Sequence, residues 1–268
     1  MKIGAQDHRH TAISASNAEQ IVVRGKDLCT ELIGRIGFTE HTWLLLTGSL
    51  PNEAQRRVLD ATLVAIAEHG LVPSVQASRM TYAAEPGSLQ GAVAAGLLGC
   101  GSVILGASEA AGRLSNEVLD AAQNSAPDAA AEQVLRQYRA ARRPIPGYGH
   151  PLHKDHDPRV RRLLEVAAET GVAGRYVAIA RSIERLLPAV TGKPLAMNVS
   201  GAMPAVLLDA GYPAGALRGV PILARTASLI AHLLEEQSRP IGFVLAHAAS
   251  AAVGYDGPAP AGFVPGDE

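Results

Sequence analysis

The chain has 268 residues, of which 47% are hydrophobic and 18% charged, a composition typical of a folded globular protein rather than a disordered one. The formal net charge is −1, without an acidic or basic tail, which argues against a nucleic-acid-binding surface. Aromatic residues make up only 4% of the chain, so its core must be built mainly from alanine and aliphatic side chains.

The N-terminal twenty residues are polar and predict an arm or loop, with no apolar segment of the kind that a signal peptide needs. Glycine, serine or charged residues interrupt every apolar stretch before the ~20 residues of a membrane span. We therefore expect a cytoplasmic protein without a membrane segment. The two cysteines, Cys29 and Cys100, are expected to be buried thiols, although one disulfide is arithmetically possible.

A first long helix is predicted to open at Pro51 and Asn52. One apolar face recurs at helical spacing, through Leu59, Leu63 and Ile66. The helix is expected to stop near Gly70, because glycine readily adopts the left-handed conformation that ends many helices.

The following segment, residues 88–112, is rich in alanine and glycine and predicts a closely packed pair of helices. Residues 114–140 predict one or two polar helices around a turn at 126–130, and residues 160–167 predict an amphipathic helix. Further helices follow in residues 171–217, and residues 220–234 predict a helix that is buried on all sides. No run of alternating β-branched residues and no tandem repeat is found, so the predicted fold class is all-α.

The segment with the most candidate catalytic and ligand-binding residues is GYGHPLHKDHDPR, residues 147–159. Gly147 and Gly149 allow the backbone to approach a ligand closely, and the neighbouring prolines stiffen the loop. Exposed backbone N–H and C=O groups in such a loop can read the edge of a purine ring. Lys154 can meet a phosphate, and the forked guanidinium of Arg159 suits a carboxylate.

Two other interpretations of this loop stay open. One is a metal site, in which ligands would come from residues at 150, 153, 155, 156 and 157. Three histidines spaced three apart do not share one helix face, and prolines disturb any helix here, so this spacing suits metal binding poorly. The other is a proline-rich surface loop whose histidines are incidental.

The same segment resembles the catalytic loop of citrate synthases and citryl-CoA lyases, whose pattern is G-x-G-H-x-x-x-[RK]-x-x-D-P-R. The matching positions are Gly147, Gly149, His150, Lys154, Asp157, Pro158 and Arg159. Other segments resemble the family in the right order, including VVRGKDL near residue 22, EHGLVPS at 68–74 and ARTASLIAHLLEEQSRP at 224–240. The resemblance extends over almost the whole chain.

This resemblance implies an all-α, two-lobed fold with the active site in the cleft between the lobes. The large lobe would comprise residues 1–112 and 218–268, and the small lobe residues 113–217. It also implies a homodimer that binds an oxaloacetate- or citryl-like dicarboxylate together with an acyl-CoA. No metal is implied.

The resemblance also implies roles for individual residues. His69 and His150 would hydrogen-bond the carbonyl or hydroxyl oxygen of an oxaloacetate or citryl unit. Arg159 and Arg225 would bind carboxylates, and Arg239 would supply a further guanidinium to the partner subunit's site. The loop would cradle the CoA adenine, with Lys154 near the phosphates, and its residues are Ile145, Pro146, Gly147, Tyr148 and Gly149.

Two positions depart from the family pattern. Ile104 lies where citrate synthases carry a histidine that stabilises the enol of acetyl-CoA, and citryl-CoA lyases lack that histidine as well. Ser200 stands where the family has a catalytic aspartate, in the stretch Asn198-Val199-Ser200. A serine hydroxyl is not ionised near neutral pH, and loss of a positioned general base typically slows a reaction ~10²- to 10⁴-fold. Asp209 is a nearby carboxylate that the sequence alone does not place.

Three hypotheses follow from a complete substrate-binding set without the usual base. The first is a citryl-CoA lyase-like enzyme in which another group or a water supplies the proton, with Ser200 at the catalytic position. The second is a different reaction on a related acyl-CoA or oxo acid, such as another C–C cleavage, thioester hydrolysis or decarboxylation. The third is a non-catalytic protein that binds oxaloacetate or a CoA ester.

Overall fold

A computed structural model describes residues 9–123, 125–149 and 155–263, leaving aside the side chain of Val103. The described chain is predominantly helical, which confirms the predicted all-α class. In chain order the helices are α1 (Phe38–Thr47), α2 (Glu53–Ala67), α3 (Pro73–Ala84), α4 (Leu89–Leu105), α5 (Ala107–Ala121), α6 (Pro127–Ala140), α7 (Pro158–Glu169), α8 (Arg175–Thr191), α9 (Val199–Asp209), α10 (Gly219–Ser238) and α11 (Gly242–Ala252).

The N-terminal segment is not simply the arm or loop that its polarity predicts. It contains a small antiparallel sheet in the order β1-β2-β3, with β1 at Ser14–Ser16, β2 at Ile21–Val23 and β3 at Lys26–Asp27. These strands have two or three residues each, too few to produce an alternating apolar pattern in the sequence. A π-helical turn, Leu28–Leu32, follows the sheet.

The chain divides into two compact units, Met1–Thr62 with Ser108–Leu217, and Leu63–Ala107 with Arg218–Glu268. This grouping shares the boundary after residue 217 with the division that the resemblance implies, but it places residues 1–62 with the middle of the chain. The assignment of a large and a small lobe stays a prediction.

The core of the first unit is formed where α5, α6 and α8 pack together. Its fully buried side chains include Leu135, Ile183 and Leu187. Helix α9 packs against α7 and α8, and most of its residues are buried. The first turn of α9 is thereby held on a rigid base, which matters because Ser200 lies in that turn.

The second unit is built from α3, α4, α10 and α11. Its helices approach closely where a glycine lies at the contact, as the Ala/Gly-rich sequence predicts. A Cβ atom at Gly96 would lie 2.7 Å from Leu229 Cδ2 and 3.0 Å from the carbonyl oxygen of Ser74. Close packing of this kind fixes α10 against α3 and α4.

Two sequence expectations are wrong in detail. Helix α10 is not buried on all sides, since Ile230 and Leu234 are 49% and 66% exposed in this chain. Cys29 is exposed, whereas Cys100 is buried, and both are free thiols. For α10, the run of apolar residues led to a prediction of more burial than the helix has in this chain.

Two described helical stretches are long and apolar enough to cross a membrane by length and composition, Leu89–Ala121 and Ala214–Ser238. This is weak evidence, because core helices of folded proteins meet the same criterion. The first stretch is also interrupted by non-helical backbone at Gly101, with φ 56° and ψ −174°.

Candidate active site

The glycine loop 145–149 lies against the segment that leads into α9. Gly149 donates its N–H to the carbonyl of Ala196 at 2.7 Å, and Asn198 donates its N–H to the carbonyl of Gly147 at 3.0 Å. Tyr148 and Met197 form an antiparallel β-bridge between these bonds. The loop is therefore fixed by backbone pairing next to the first turn of α9.

Gly147 is required at its position for two reasons. Its φ is 89°, a conformation that side-chain-bearing residues rarely adopt. A Cβ at Gly147 would also lie 2.6 Å from the Cα of Gly201 and 3.1 Å from the Cβ of Ala111. The loop backbone thus touches the α9 backbone directly, a contact that neither glycine could keep with a larger side chain.

The side chains of this loop face the core of the first unit. Ile145 and Tyr148 pack against its hydrophobic cluster, and the Tyr148 hydroxyl donates a 2.8 Å hydrogen bond to the carbonyl of Ala180. Burial and the nearby Glu184 carboxylate raise the pKa of Tyr148, so this hydroxyl stays protonated. The loop also contains Pro146. Because the side chains of Ile145 and Tyr148 face the core, a ligand could be contacted by the loop backbone rather than by these two side chains.

Asn198 connects the glycine loop to α9. Its side-chain amide donates to the carbonyl of Gly149 at 2.6 Å, while its Oδ1 accepts the Ser200 N–H at 2.9 Å and caps the helix. Ser200 is half-buried in the first turn of α9. The structure therefore brings Ser200 and the loop 145–149 together.

Arg159 lies at the start of α7, where Asp157 caps the helix. The Asp157 carboxylate accepts from Arg159 Nε at 2.9 Å and Nη2 at 2.8 Å, and also from the Val199 N–H at 3.0 Å. Burial acts to raise the pKa of Asp157, but the hydrogen bonds and charge of Arg159 outweigh it and hold that pKa below its ordinary value. Arg159 is thus placed beside the N-terminus of α9.

Asp209 does not supply the carboxylate that Ser200 lacks. It accepts the backbone N–H groups of Gly174, Tyr176 and Val177 at 2.7, 3.0 and 2.9 Å. Three amide donors at the N-terminus of α8 satisfy this carboxylate. Its role in the structure is to cap a helix.

His69 is half-buried in the turn between α2 and α3, where Gly70 has a φ of 69°. The Glu68 carboxylate accepts the N–H groups of both His69 and Gly70, while its other oxygen accepts the Ser228 hydroxyl and lies 3.0 Å from His232 Nε2. The turn that carries His69 is thereby tied to α10.

The two other predicted arginines also belong to the second unit. Arg225 is buried in α10, with 8% of its surface exposed. Arg239 is exposed at the C-terminal end of α10, where its carbonyl accepts a 2.9 Å hydrogen bond from Arg79. A buried guanidinium needs anionic or acceptor groups around it, which fits a carboxylate-binding role for Arg225.

Two predicted site residues, His150 and Lys154, lie outside the described residues. Ile104 is 40% exposed in the last turn of α4. Among the described residues, no three or more His, Cys, Asp or Glu side chains are grouped so that they could hold a metal ion, and the alternative metal site also involves residues outside them.

Sequence reasoning missed the residues that hold the site in place. Asn198 was noticed only as part of a motif, and Glu68 only as the neighbour of His69. Arg79 and Glu236 were not singled out, although Arg79 is the one charged residue of α3 and Glu236 lies near Leu233 and Leu234 in α10. A charged side chain among the uncharged residues of a helical segment is a sequence signal that could have found Arg79.

Comparisons with known proteins agree on one family. Residues 51–242 match the family described as Citrate synthase, C-terminal domain. The structure of citryl-CoA lyase from Hydrogenobacter thermophilus is 31% identical and superposes with a TM-score of 0.83, covering 95% of this chain and 97% of that one. No curated protein matches the chain significantly.

More distant structures share the fold. ATP citrate lyase from Methanothrix soehngenii, solved with citrate and coenzyme A, is 24% identical with a TM-score of 0.75, covering 96% of this chain but 43% of that one. Citrate synthase from Thermotoga maritima is 22% identical with a TM-score of 0.63, covering 87% and 62% of the two chains.

Fold and sequence matches together define a helical protein of the citrate synthase type. The chain belongs to the citrate synthase family, in its citryl-CoA lyase-like branch.

Proposed function

We propose that this protein is a citryl-CoA lyase-like enzyme that cleaves a citryl-type 3-hydroxyacyl-CoA into acetyl-CoA and oxaloacetate, or joins them in reverse. The observation that carries the proposal is the similarity to a citryl-CoA lyase over nearly the full length of both chains. We propose that the enzyme acts in the cytoplasm.

The reaction requires a defined movement of electrons and protons. The substrate hydroxyl loses its proton as its C–O bond becomes a carbonyl, and the adjacent C–C bond breaks. The electron pair passes to the acetyl methylene as a thioester enolate, which takes up one proton to become acetyl-CoA. In our proposal His69 and His150 face the oxygen of the substrate hydroxyl that becomes the carbonyl. The charge on this oxygen changes most during the reaction, and fixed hydrogen-bond donors at such an atom stabilise the transition state.

The dicarboxylate half would be held by Arg159, Arg225 and the Arg239 supplied by a second subunit in a homodimer. Several guanidinium groups are needed to take such an anion from water. Support comes from the burial of Arg225 and from the fixed placement of Arg159 by Asp157.

Coenzyme A would be bound by the loop 145–149, with Lys154 near its phosphates. The positive φ values of Gly147 and Gly149, and the close contact of the loop with α9, support a backbone-lined surface for the adenine ring. This surface adjoins Ser200. The proposal requires this, because the acetyl group of the bound acyl-CoA must lie next to the residue at the catalytic position.

Incubation of the purified protein with citryl-CoA tests this proposal. We expect oxaloacetate and acetyl-CoA in equal amounts, and their loss in His69→Ala and Arg225→Leu. The control is Arg162→Ala, which removes an exposed arginine of α7 that pairs only with surface glutamates in the described chain. Intact citryl-CoA after incubation with folded wild-type protein would reject the lyase proposal.

The presence of a serine at position 200, where the resemblance implies an aspartate, favours a second candidate function. This is a different reaction on a related acyl-CoA or oxo acid. The Asp209 carboxylate is occupied as a helix cap, so it offers no replacement for the family's aspartate. A strong gain of citryl-CoA cleavage in Ser200→Asp would support this candidate. Equal rates in wild type and Ser200→Asp would show that another group already supplies the proton, as the lyase proposal requires.

A further inference from the structure

A chain of polar side chains in the second unit joins the turn that carries His69 to the turn that carries Arg239. We refer to Glu68, His232, Arg79, Glu235 and Glu236 as the polar network. Its members on α10 recur at helical spacing with Ser228, so they lie on one face of that helix.

At one end of the polar network, Glu68 holds the backbone of the His69 turn. Its Oε1 accepts the N–H of His69 at 2.9 Å and that of Gly70 at 2.5 Å. Its Oε2 accepts the Ser228 hydroxyl and lies 3.0 Å from His232 Nε2. Within the described residues, these contacts of the carboxylate either fix the turn or join it to α10.

At the other end, Arg79 and Glu236 hold the Arg239 turn. Their side chains are each 2% exposed and form an ion pair of 2.5 Å between Arg79 Nε and Glu236 Oε2. Arg79 Nη2 donates to the carbonyl of Arg239 at 2.9 Å. Glu236 Oε1 accepts the N–H groups of Ile241 and Gly242 at 2.9 and 2.7 Å, so the backbone is fixed on both sides of Pro240.

His232 bridges the two ends. Its Nε2 faces Glu68, and its Nδ1 lies 3.4 Å from Arg79 Nη1. Because a carboxylate only accepts and a guanidinium only donates, the neutral ring with its proton on Nε2 satisfies both neighbours at once. The His232 side chain is 15% exposed, so water competes weakly for these contacts.

We propose that His232 is a positioning residue that fixes the His69 and Arg239 turns relative to each other and thereby sets the affinity for the dicarboxylate. The effect on affinity rests on the proposed function, in which His69 and Arg239 bind the dicarboxylate. In a homodimer where Arg239 serves the partner's site, each copy of the polar network would shape both sites.

Hydrogen–deuterium exchange tests the positioning without any ligand. His232→Leu keeps the approximate size of the side chain but removes both polar contacts. We expect amide exchange about tenfold faster at residues 68–72 and at 239–242, the change expected from losing a hydrogen bond to a charged group. Gln237→Ala, an exposed position on the same helix, is the matched control and should leave both segments at the wild-type rate.

Two further variants keep the test decisive if His232→Leu does not fold. The side chain of His232→Gln can donate to Glu68 and accept from Arg79, so it should restore near wild-type exchange. The shorter side chain of His232→Asn reaches only the Arg79 end, so exchange should rise at the His69 turn alone. Unchanged exchange at the His69 turn in both His232→Leu and His232→Asn would overturn the proposal.

Calorimetric titrations separate positioning from a general structural role. Oxaloacetate should bind about tenfold more weakly to His232→Leu, and coenzyme A should bind as in wild type, because its proposed loop belongs to the first unit. An equal loss for both ligands would contradict positioning. Failure of wild-type protein to bind oxaloacetate would instead reject the proposed function, and the exchange rates would still decide whether His232 holds the two turns.

Discussion

Arg159 is fixed by Asp157 through two side-chain hydrogen bonds of 2.9 and 2.8 Å, and the same carboxylate accepts the N–H of Val199. One buried anion thus joins the start of α7 to the start of α9. Since Ser200 is the next residue after Val199, this contact sets the distance between the predicted carboxylate-binding Arg159 and the predicted catalytic position at Ser200.

Removing this anion should destabilise the first unit. We expect Asp157→Asn to lower the free energy of unfolding by about 3 kcal/mol, because it leaves Arg159 without its charge partner in a largely buried position. Urea unfolding measures the change. The control is Asp120→Asn, an exposed acid on α5 that should change stability by less than about 0.5 kcal/mol. Equal stabilities of the two variants would contradict this role of Asp157.

The lowered pKa of Glu68 predicts how the free energy of unfolding depends on pH. Burial acts to raise its pKa, but hydrogen bonds from Ser228, Gly70 and His232 outweigh burial and lower the pKa from 4.5 to about 2. A folded-state pKa below the unfolded value favours folding above pH 4.5, and this contribution is lost as the pH falls from 4.5 towards 2.

The variant Glu68→Gln should therefore show a weaker decline of unfolding free energy over this pH range than wild type does. Solvent screening will reduce the difference, because the Glu68 side chain is 55% exposed. Urea unfolding at several pH values measures both curves. Parallel curves would mean that the contacts of Glu68 do not stabilise the folded state.

Gly147→Ala should damage both stability and binding. The positive φ alone costs about 1–2 kcal/mol for a residue with a side chain, and the new methyl group would also press on the backbone of Gly201. Gly192→Ala is a matched control, since its φ is 76° but nothing lies within 4 Å of the added Cβ.

Thermal unfolding and coenzyme A titration of these two glycine variants measure the two effects. We expect Gly147→Ala to be the less stable protein and the only one that loses coenzyme A affinity. If the two variants behave alike, the close approach of the loop to α9 has no energetic importance.

Asp209→Ala should lower stability without removing activity. Its carboxylate caps α8 through three backbone N–H groups, and loss of such a cap costs about 1–2 kcal/mol. We expect turnover of citryl-CoA to match wild type at a temperature where both proteins are folded. A loss of turnover with unchanged stability would show instead that Asp209 takes part in proton transfer.

Regular helices were predictable from the sequence because their apolar residues repeat at helical spacing. The stripe through Leu59 and Ile66 predicted α2, and the structure adds a reciprocal cap in which Asn52 and Gln55 bond each other's backbone N–H groups. Pro127 at the start of α6 likewise marks the predicted turn between two helices. The small N-terminal sheet was missed because its strands are too short to show a period.

The candidate site was predictable only in part. The motifs singled out the glycine loop and Ser200 separately, and the structure adds that they lie side by side, through a backbone contact between Gly147 and Gly201. The contacts of Glu68 and His232 could not be foreseen, because they join residues 164 positions apart in the sequence. Such pairs depend on how helices pack, which no local pattern encodes.

The proposal that this chain binds an oxaloacetate-like dicarboxylate is tested most directly by calorimetric titration of the wild-type protein with oxaloacetate. We predict saturable binding that weakens at least roughly 30-fold in Arg225→Leu, because removing one partner of a buried charge pair costs several kcal/mol. Absence of binding to folded wild-type protein, or equal binding by Arg225→Leu, would contradict the dicarboxylate site.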